Sequence, residues 1–146
     1  MTRAHHLDPR MVALVAAGGT LGTTARYLTT HGLPVAGGWP LGTLTENLLG
    51  SLLLGALLEA LVRRGVESTR GRIVRLAVGT GFLGGFTTFS SLAIELERLL
   101  AAGAVGTALA YAAVSLVGGL LACVGGVLIA SRHHTWRQAR TLRAQS

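Results

Sequence analysis

The apolar stretches of this 146-residue sequence carry neutral hydrogen-bond donors. These donors are Asn47, Thr80, Thr87, Thr88, Ser90, Ser91, Tyr111 and Ser115. Phe89 lies among them, and the edge of an aromatic ring carries the positive part of its quadrupole. A series of hydroxyl, amide and ring-edge donors can replace the water around a small anion without the deep trap that a buried charge would create. The set therefore favours a small anion over a cation as the ligand.

Glu46 supports two interpretations. The run Thr43-Leu44-Thr45-Glu46 fits a capping box, in which Thr43 accepts from the Glu46 amide and Glu46 returns the bond. A carboxylate at membrane depth is also a candidate proton or cation site. A small proton-coupled multidrug exporter, built from four-span subunits in antiparallel pairs, would need such a group.

Enzyme chemistry is not indicated. The sequence has no Ser/His/Asp set at the ends of its apolar stretches, no phosphate-binding loop ending in Lys and no metal-spaced His/Glu cluster. Cys123 is the single cysteine, which excludes an internal disulfide framework and a Cys-based metal site. The pairs His5-His6 and His133-His134 lie in polar ends, and adjacent histidines do not share a helix face. We therefore expect a protein that is not an enzyme.

Composition indicates a membrane protein. Half of the residues are apolar, only 13% are charged and the mean hydropathy is +0.54, whereas about a quarter of the residues in a soluble domain are charged. The net charge is +7, and every basic residue is Arg. These arginines flank apolar stretches, as expected at a membrane interface, and do not indicate a nucleic-acid-binding surface.

Four stretches are long enough to cross a bilayer, which requires about 20 mainly apolar residues. They cover residues 11–30, 43–62, 74–99 and 104–131, and a polar, basic tail follows at 132–146. The sequence thus predicts a single all-α membrane domain over residues 1–146. Small residues in the spans, such as Gly18-Gly19 and Gly125-Gly126, are typical of closely packed membrane helices.

The third span contains the most informative segment. It reads Gly-Thr-Gly-Phe-Leu-Gly-Gly-Phe-Thr-Thr-Phe-Ser-Ser over residues 79–91. Glycine weakens a helix, and Ser and Thr hydroxyls compete for its backbone groups. We therefore predict a helix break between Gly84 and Thr88. Broken membrane helices often coordinate ions through freed carbonyls.

Three segments together resemble the CrcB/Fluc family of fluoride channels. They are Gly84-Gly85-Phe86-Thr87-Thr88-Phe89-Ser90, the run from Thr43 through Glu46 and Asn47 to Ser51, and Gly22-Thr23-Thr24-Ala25-Arg26-Tyr27. Tyr111 and Ser115 match a Tyr and a Ser four residues apart in the fourth span of that family. The resemblance extends from Gly18 to about Ser131.

The resemblance implies four transmembrane helices with a broken third helix, an antiparallel dimer and passive export of fluoride across the cell membrane. It places Asn47 as a pore donor, Phe89 on the anion path, and Thr88, Ser90, Tyr111 and Ser115 along a polar route. Arg26 would lie near a pore mouth and Glu95 near the far end of the route. The carbonyls of Gly84 and Thr87 would hold a structural sodium ion at the dimer centre.

Two positions depart from the family pattern. Leu92 stands where a second Phe is common, three residues after Phe89, so one wall of the anion path would lose a ring edge. Glu46 stands where a small apolar residue is usual. Besides the channel, the exporter and a non-conducting structural subunit remain open.

The arginines predict an orientation. Eleven lie in the N-terminal tail, the second connection and the C-terminal tail (Arg3, Arg10, Arg63, Arg64, Arg70, Arg72, Arg75, Arg132, Arg137, Arg140 and Arg143), against Arg26 and Arg98 on the other side. Arginine-rich loops stay in the cytoplasm, so we expect both termini there. An antiparallel dimer then needs an oppositely oriented partner. This favours a heterodimer with a homologous subunit, while a homodimer of less biased chains stays open.

Overall fold

The computed structural model describes residues 8–66 and 68–143, with side chains described as far as His133, and it is predominantly helical. Its helices are α1 (Pro9–Gly32), α2 (Leu41–Val62), α3 (Thr69–Val74), a π-helix (Arg75–Leu83), α4 (Gly84–Phe86), α5 (Phe89–Ala101) and α6 (Val105–Arg143). Two short strands, β1 (Val35–Ala36) and β2 (Trp39–Pro40), form an antiparallel hairpin between α1 and α2. The prediction of an all-α fold is confirmed.

Local signals set the ends of several elements. Asp8 caps α1 by accepting from the amide two residues on, and Ser68 caps α3 by accepting from the Gly71 amide at 3.1 Å. The hairpin turns at Gly37 and Gly38, whose φ angles of 59° and 82° suit residues without a side chain. These short connections hold successive long helices side by side.

Glycines bring α1 against the third segment, which we define as Thr69–Ala101. A Cβ at Gly18 would collide with the Ala77 carbonyl oxygen, and one at Gly22 with the Phe82 carbonyl oxygen. Residues later in α1 contact residues later in the third segment, so α1 and the third segment run parallel. Their backbones touch because glycine leaves room, which is how membrane helices gain packing energy in lipid.

Glycines also bring α2 and α6 into close backbone contact. Gly55 faces the Cys123 carbonyl oxygen and Gly126 faces that of Leu52, again with no room for a Cβ. Leu48 lies against Gly118 and Ala56 lies against Gly126, so this pair also runs parallel. The long segments therefore alternate in direction along the chain, and the start of α1 lies at the same end of the molecule as the ends of α2 and α6.

Within the described residues, three segments are long and apolar enough to cross a membrane: Leu41–Val62, Thr69–Ala101 and Val105–His133. With 24 residues, α1 has the length of a span but a lower apolar content, so the fourth span stays a prediction. The basic tail predicted to follow residue 131 continues α6 as helix to Arg143. Outward leucines such as Leu21, Leu109 and Leu120 are more than 60% exposed, as expected of a surface that faces lipid or another subunit.

Candidate functional site

The helix break lies at Thr87 and Thr88. Both residues have extended backbone (φ −78°, ψ 156° and φ −151°, ψ 123°), and α5 restarts at Phe89. The Thr88 side chain caps this restart by accepting from the Ser91 amide at 3.2 Å. The break thus falls inside the predicted range of Gly84 to Thr88. Its physical cause differs, because the glycines before it remain helical and pack against α1.

Asn47, on the neighbouring helix α2, hydrogen-bonds to the backbone at the helix break. Its Nδ2 donates to the Thr88 carbonyl at 2.9 Å, and its Oδ1 accepts from the Thr88 amide at 2.8 Å. In a continuous helix the Thr88 amide would donate to the Gly84 carbonyl. Asn47 Oδ1 accepts from the Thr88 amide instead, so the Gly84 carbonyl does not receive this hydrogen bond. On the other side, Arg26 Nη1 donates to the Thr87 carbonyl at 3.3 Å.

An open groove of about 490 Å³ runs past this break between α2, the third segment and α6. Its lining includes Asn47, Ser51, Gly84, Thr87, Thr88, Phe89, Leu92 and Ser115. The Phe89 ring is 76% exposed, whereas Leu92 is buried at 5% exposure. Ser115 is buried too, and its Oγ has no hydrogen-bond partner among the described residues. A buried hydroxyl without a partner is a group that a ligand or water can satisfy.

A second polar cluster forms around Glu95. Its Oε1 accepts from the Thr43 hydroxyl at 2.7 Å, and its Oε2 accepts from the Tyr111 hydroxyl at 2.6 Å. The Tyr111 side chain is fully buried, and its ring meets that of Trp39 edge-on with centroids 5.9 Å apart. Glu95 and Arg98 also line a cavity of about 240 Å³ beside the hairpin.

Tyr111 connects the two regions. It lies four residues before Ser115, so the two side chains occupy one face of α6. Thr43, Asn47 and Gly50 similarly share one face of α2 by their spacing. Polar groups therefore continue from the groove at Asn47 and Ser115 to the Glu95 cluster.

Glu46 does not form the predicted capping box. The helix α2 begins at Leu41, and Thr43 donates to Glu95 instead of accepting from the Glu46 amide. Glu46 is fully buried, and its Oε1 accepts from Thr30 Oγ1 at 2.6 Å. Its Oε2 has no hydrogen-bond partner among the described residues. The capping interpretation was wrong because α2 begins at Leu41, directly after the hairpin and three residues before the Leu44 start that a Thr43 cap implies.

Of the remaining candidate residues, two are exposed and three histidines lie wholly or partly outside the described part of the chain. Ser90 is exposed and lies 3.2 Å from the Thr88 hydroxyl, and Thr80 is also exposed. Within the described residues no three His, Cys, Asp or Glu side chains gather as metal ligands. His5, His6 and the side chain of His134 lie outside the described residues.

Sequence reasoning missed the roles of Thr30 and Trp39. Thr30 follows Arg26 by one helical turn, so both project from one face of α1 toward α2 and the break. This spacing was a usable signal. The Trp39 contact depends on the hairpin, which the sequence analysis did not predict.

Comparison with known proteins identifies the family. A model of the CrcB-like proteins (Camphor Resistance, CrcB) matches residues 13–127. The chain is 41% identical over 124 residues to "Fluoride-specific ion channel FluC 2" of Leifsonia xyli, covering 85% of this chain and 86% of the relative. It is 43% identical over 121 residues to "Fluoride-specific ion channel FluC" of Caulobacter vibrioides, covering 82% and 94%.

A relative from Cutibacterium acnes, "Fluoride-specific ion channel FluC 1", is 44% identical over 122 residues, covering 82% of this chain and 85% of the relative. Together with the three apolar spanning helices, these matches identify a multi-pass membrane protein. The chain belongs to the CrcB-like family.

Proposed function

We propose that this protein is a fluoride channel whose anion route follows the groove and the Glu95 cluster. The observation that carries the proposal is the buried Ser115 hydroxyl, which opens onto the groove and has no hydrogen-bond partner in the described part of the chain. Fluoride is a small, strongly hydrated anion, so a route must offer donors that replace its water. Beside Ser115, the Asn47 amide keeps a second N–H beyond its bond to Thr88, and the Tyr111 hydroxyl continues the polar route by donating to Glu95. The names of the relatives support fluoride as the ion.

The groove is open along one side, and we propose that a second subunit in antiparallel orientation covers it. Phe89 supports this because it lines the groove and is 76% exposed, so a subunit that covers the groove would enclose its ring beside the polar route. Leu116 and Leu120 line the same groove and are 62% and 65% exposed. The partner is a second copy of this chain or, given the arginine distribution, a homologous subunit of opposite orientation.

We further propose that the Gly84 and Thr87 carbonyls hold a structural sodium ion where two breaks meet. Freed backbone carbonyls are suitable sodium ligands. Both residues line the groove, and the Gly84 carbonyl has lost its helical donor to Asn47. Arg26 occupies one lone pair of Thr87, which leaves the other for the ion. Thermal stability of the purified protein should therefore fall when sodium is replaced by a large organic cation, and equal stability would count against the site.

A second candidate function rests on Glu46. This carboxylate is fully buried, and no described residue hydrogen-bonds to its Oε2. A buried carboxylate is the kind of group that a proton-coupled multidrug exporter requires. In that case drug transport would depend on Glu46, and the groove residues Asn47 and Ser115 would tolerate substitution.

Growth of a bacterium that lacks its own fluoride export separates the two functions. The channel proposal predicts that the wild-type chain restores growth in fluoride and that Asn47→Ala does not. Resistance to cationic drugs that is lost in Glu46→Gln, without any protection from fluoride, would favour the exporter. If Asn47→Ala and Phe89→Ala protected as well as the wild type, the groove would not be the route.

A further inference from the structure

A second cleft lies at the arginine-rich end of the molecule, away from the groove described above. It has a volume of about 560 Å³ and lies between the first turns of α1 and the start of the third segment. Its apolar lining consists of Met11, Val12, Val15, Ala16 and Leu76. Two arginines, Arg72 and Arg75, complete the lining.

The way that the two helices approach each other explains the cleft. From Val15 and Gly18 onward, α1 and the third segment touch through backbone, because Gly18 meets Ala77 and Gly81 meets Val15. Before Val15, the side chains of Met11 and Val12 line the cleft between the two helices. The space between them remains open on the outside, where Val12 is 55% exposed.

The apolar wall is a strip along one side of α1. Met11 and Val15 are one turn apart, as are Val12 and Ala16. From Met11 to Ala16 the strip is roughly 7.5 Å long at 1.5 Å per residue. It leads from the end of the span toward the hydrocarbon layer, so its length and direction suit the upper part of an acyl chain.

Arg72 and Arg75 mark the polar end of this strip. They are three residues apart on a continuous helical stretch and therefore neighbours on its surface. The guanidinium group matches phosphate oxygens in geometry and charge. The end of the molecule where they lie also carries Arg10, Arg63 and Arg132, so its potential favours anions.

We propose that this cleft binds an anionic phospholipid, with the phosphate on Arg72 and Arg75 and an acyl chain along Met11 to Ala16. Basic pockets between spans on the arginine-rich side are the sites expected for such headgroups. The apolar strip is the reason to choose a lipid over free phosphate. The proposal does not depend on fluoride conduction, since the cleft lies outside the anion route.

The test is lipid retention by the purified full-length protein in a neutral detergent, measured by native mass spectrometry with phosphatidylglycerol and phosphatidylcholine. The wild type should retain phosphatidylglycerol in preference. In Arg72→Gln/Arg75→Gln, this retention should fall about thirtyfold, because two arginines near the headgroup together contribute about 2 kcal/mol. The matched control, Arg64→Gln/Arg132→Gln, removes two charges from the same end of the molecule and should retain the lipid like the wild type.

Ala16→Trp provides a second variant, which fills the apolar strip and leaves both arginines in place. Ala16 is exposed, so the substitution leaves the packed interior intact. It should lower phosphatidylglycerol retention. Equal loss in the two double variants would show a general charge effect and overturn the site. Full retention in Ala16→Trp, or displacement of the lipid by inorganic phosphate at equal concentration, would do the same.

Discussion

At the scale of single residues, Asn47 and Glu95 each organise several groups that the chain separates widely. Asn47 binds both backbone groups of Thr88 across 41 positions. Glu95 accepts one hydroxyl from α2 and one from α6. The fold orients the hydrogen-bonding atoms of both side chains toward these partners. Their substitution should therefore change both stability and transport.

Asn47→Ala tests whether the Asn47 side chain stabilises the helix break at Thr88. It removes a donor and an acceptor from Thr88, and leaving such buried backbone groups unpaired costs about 1–3 kcal/mol in the free energy of unfolding. We expect lower thermal stability in detergent and slower fluoride transport. Thr45→Ala is the control, since Thr45 is exposed on the same helix. A variant as stable as this control would show that the break holds without Asn47.

Tyr111→Phe and Thr43→Val test the Glu95 cluster. Each deletes one hydroxyl donor with little change in shape, and hydrogen bonds to a charged group contribute about 1.5–3 kcal/mol. We expect each variant to lower the free energy of unfolding. Combined, they should cost more than the sum of the two, because the carboxylate then has neither donor. Strict additivity in a double-mutant cycle would mean that the two bonds are independent.

At the scale of elements, the molecule depends on close helix contacts and on one interrupted helix. The glycines of the third segment pack against α1, and its helix break lies at the two threonines that follow. The π-helix between Arg75 and Leu83 lies directly before this break. Wide helical turns of this kind are common at functional sites in proteins.

Gly22→Ala tests the packing of these elements. The added Cβ would meet the Phe82 carbonyl oxygen, and because backbone must shift to admit it, we expect a loss of about 1–3 kcal/mol in stability. Gly106→Ala is the matched control, because a Cβ there meets nothing within 4 Å. The control should be neutral or more stable by up to about 1 kcal/mol. Similar thermal stability for both variants would contradict close packing at Gly22.

The sequence predicted the helix break and three segments that the structure shows as long apolar helices, because length, glycine content and Ser/Thr clustering act locally. Several residues that it singled out, such as Asn47 and Ser115, line the groove. Residues 43–62 were expected to form a span, and α2 covers Leu41–Val62. The partner of Glu46 could not be predicted in the same way. Thr30 lies 16 residues away on another helix. The local spacing of residues 43–46 suggested a capping box, because local spacing contains no information about contacts between helices.

At the scale of the whole molecule, the alternating direction of the long segments gathers most of the described arginines at one end. Arg10, Arg63, Arg64, Arg72 and Arg132 follow or precede spans at that end, while Arg98 lies at the other. Such a distribution orients a membrane protein with its arginine-rich end in the cytoplasm. An antiparallel dimer of two identical chains would have to overcome this preference.

Terminal tags test the orientation in cells. With one tag at each end of the chain, we expect both to be reached by a membrane-impermeant probe only after the cytoplasmic face is opened. That result would favour an oppositely oriented homologous partner in the cell. Equal amounts of both orientations would contradict the arginine argument and favour the homodimer.

The most direct test of the central claim is fluoride efflux from liposomes that contain the purified chain, followed with a fluoride electrode. Reconstitution from detergent lets chains pair in opposite orientations whatever their preference in the cell. We predict rapid efflux of fluoride and none of chloride, with fluoride efflux greatly slowed in Asn47→Ala. Fluoride efflux no faster than from protein-free liposomes, or equal efflux of fluoride and chloride, would contradict the proposal that this groove conducts fluoride.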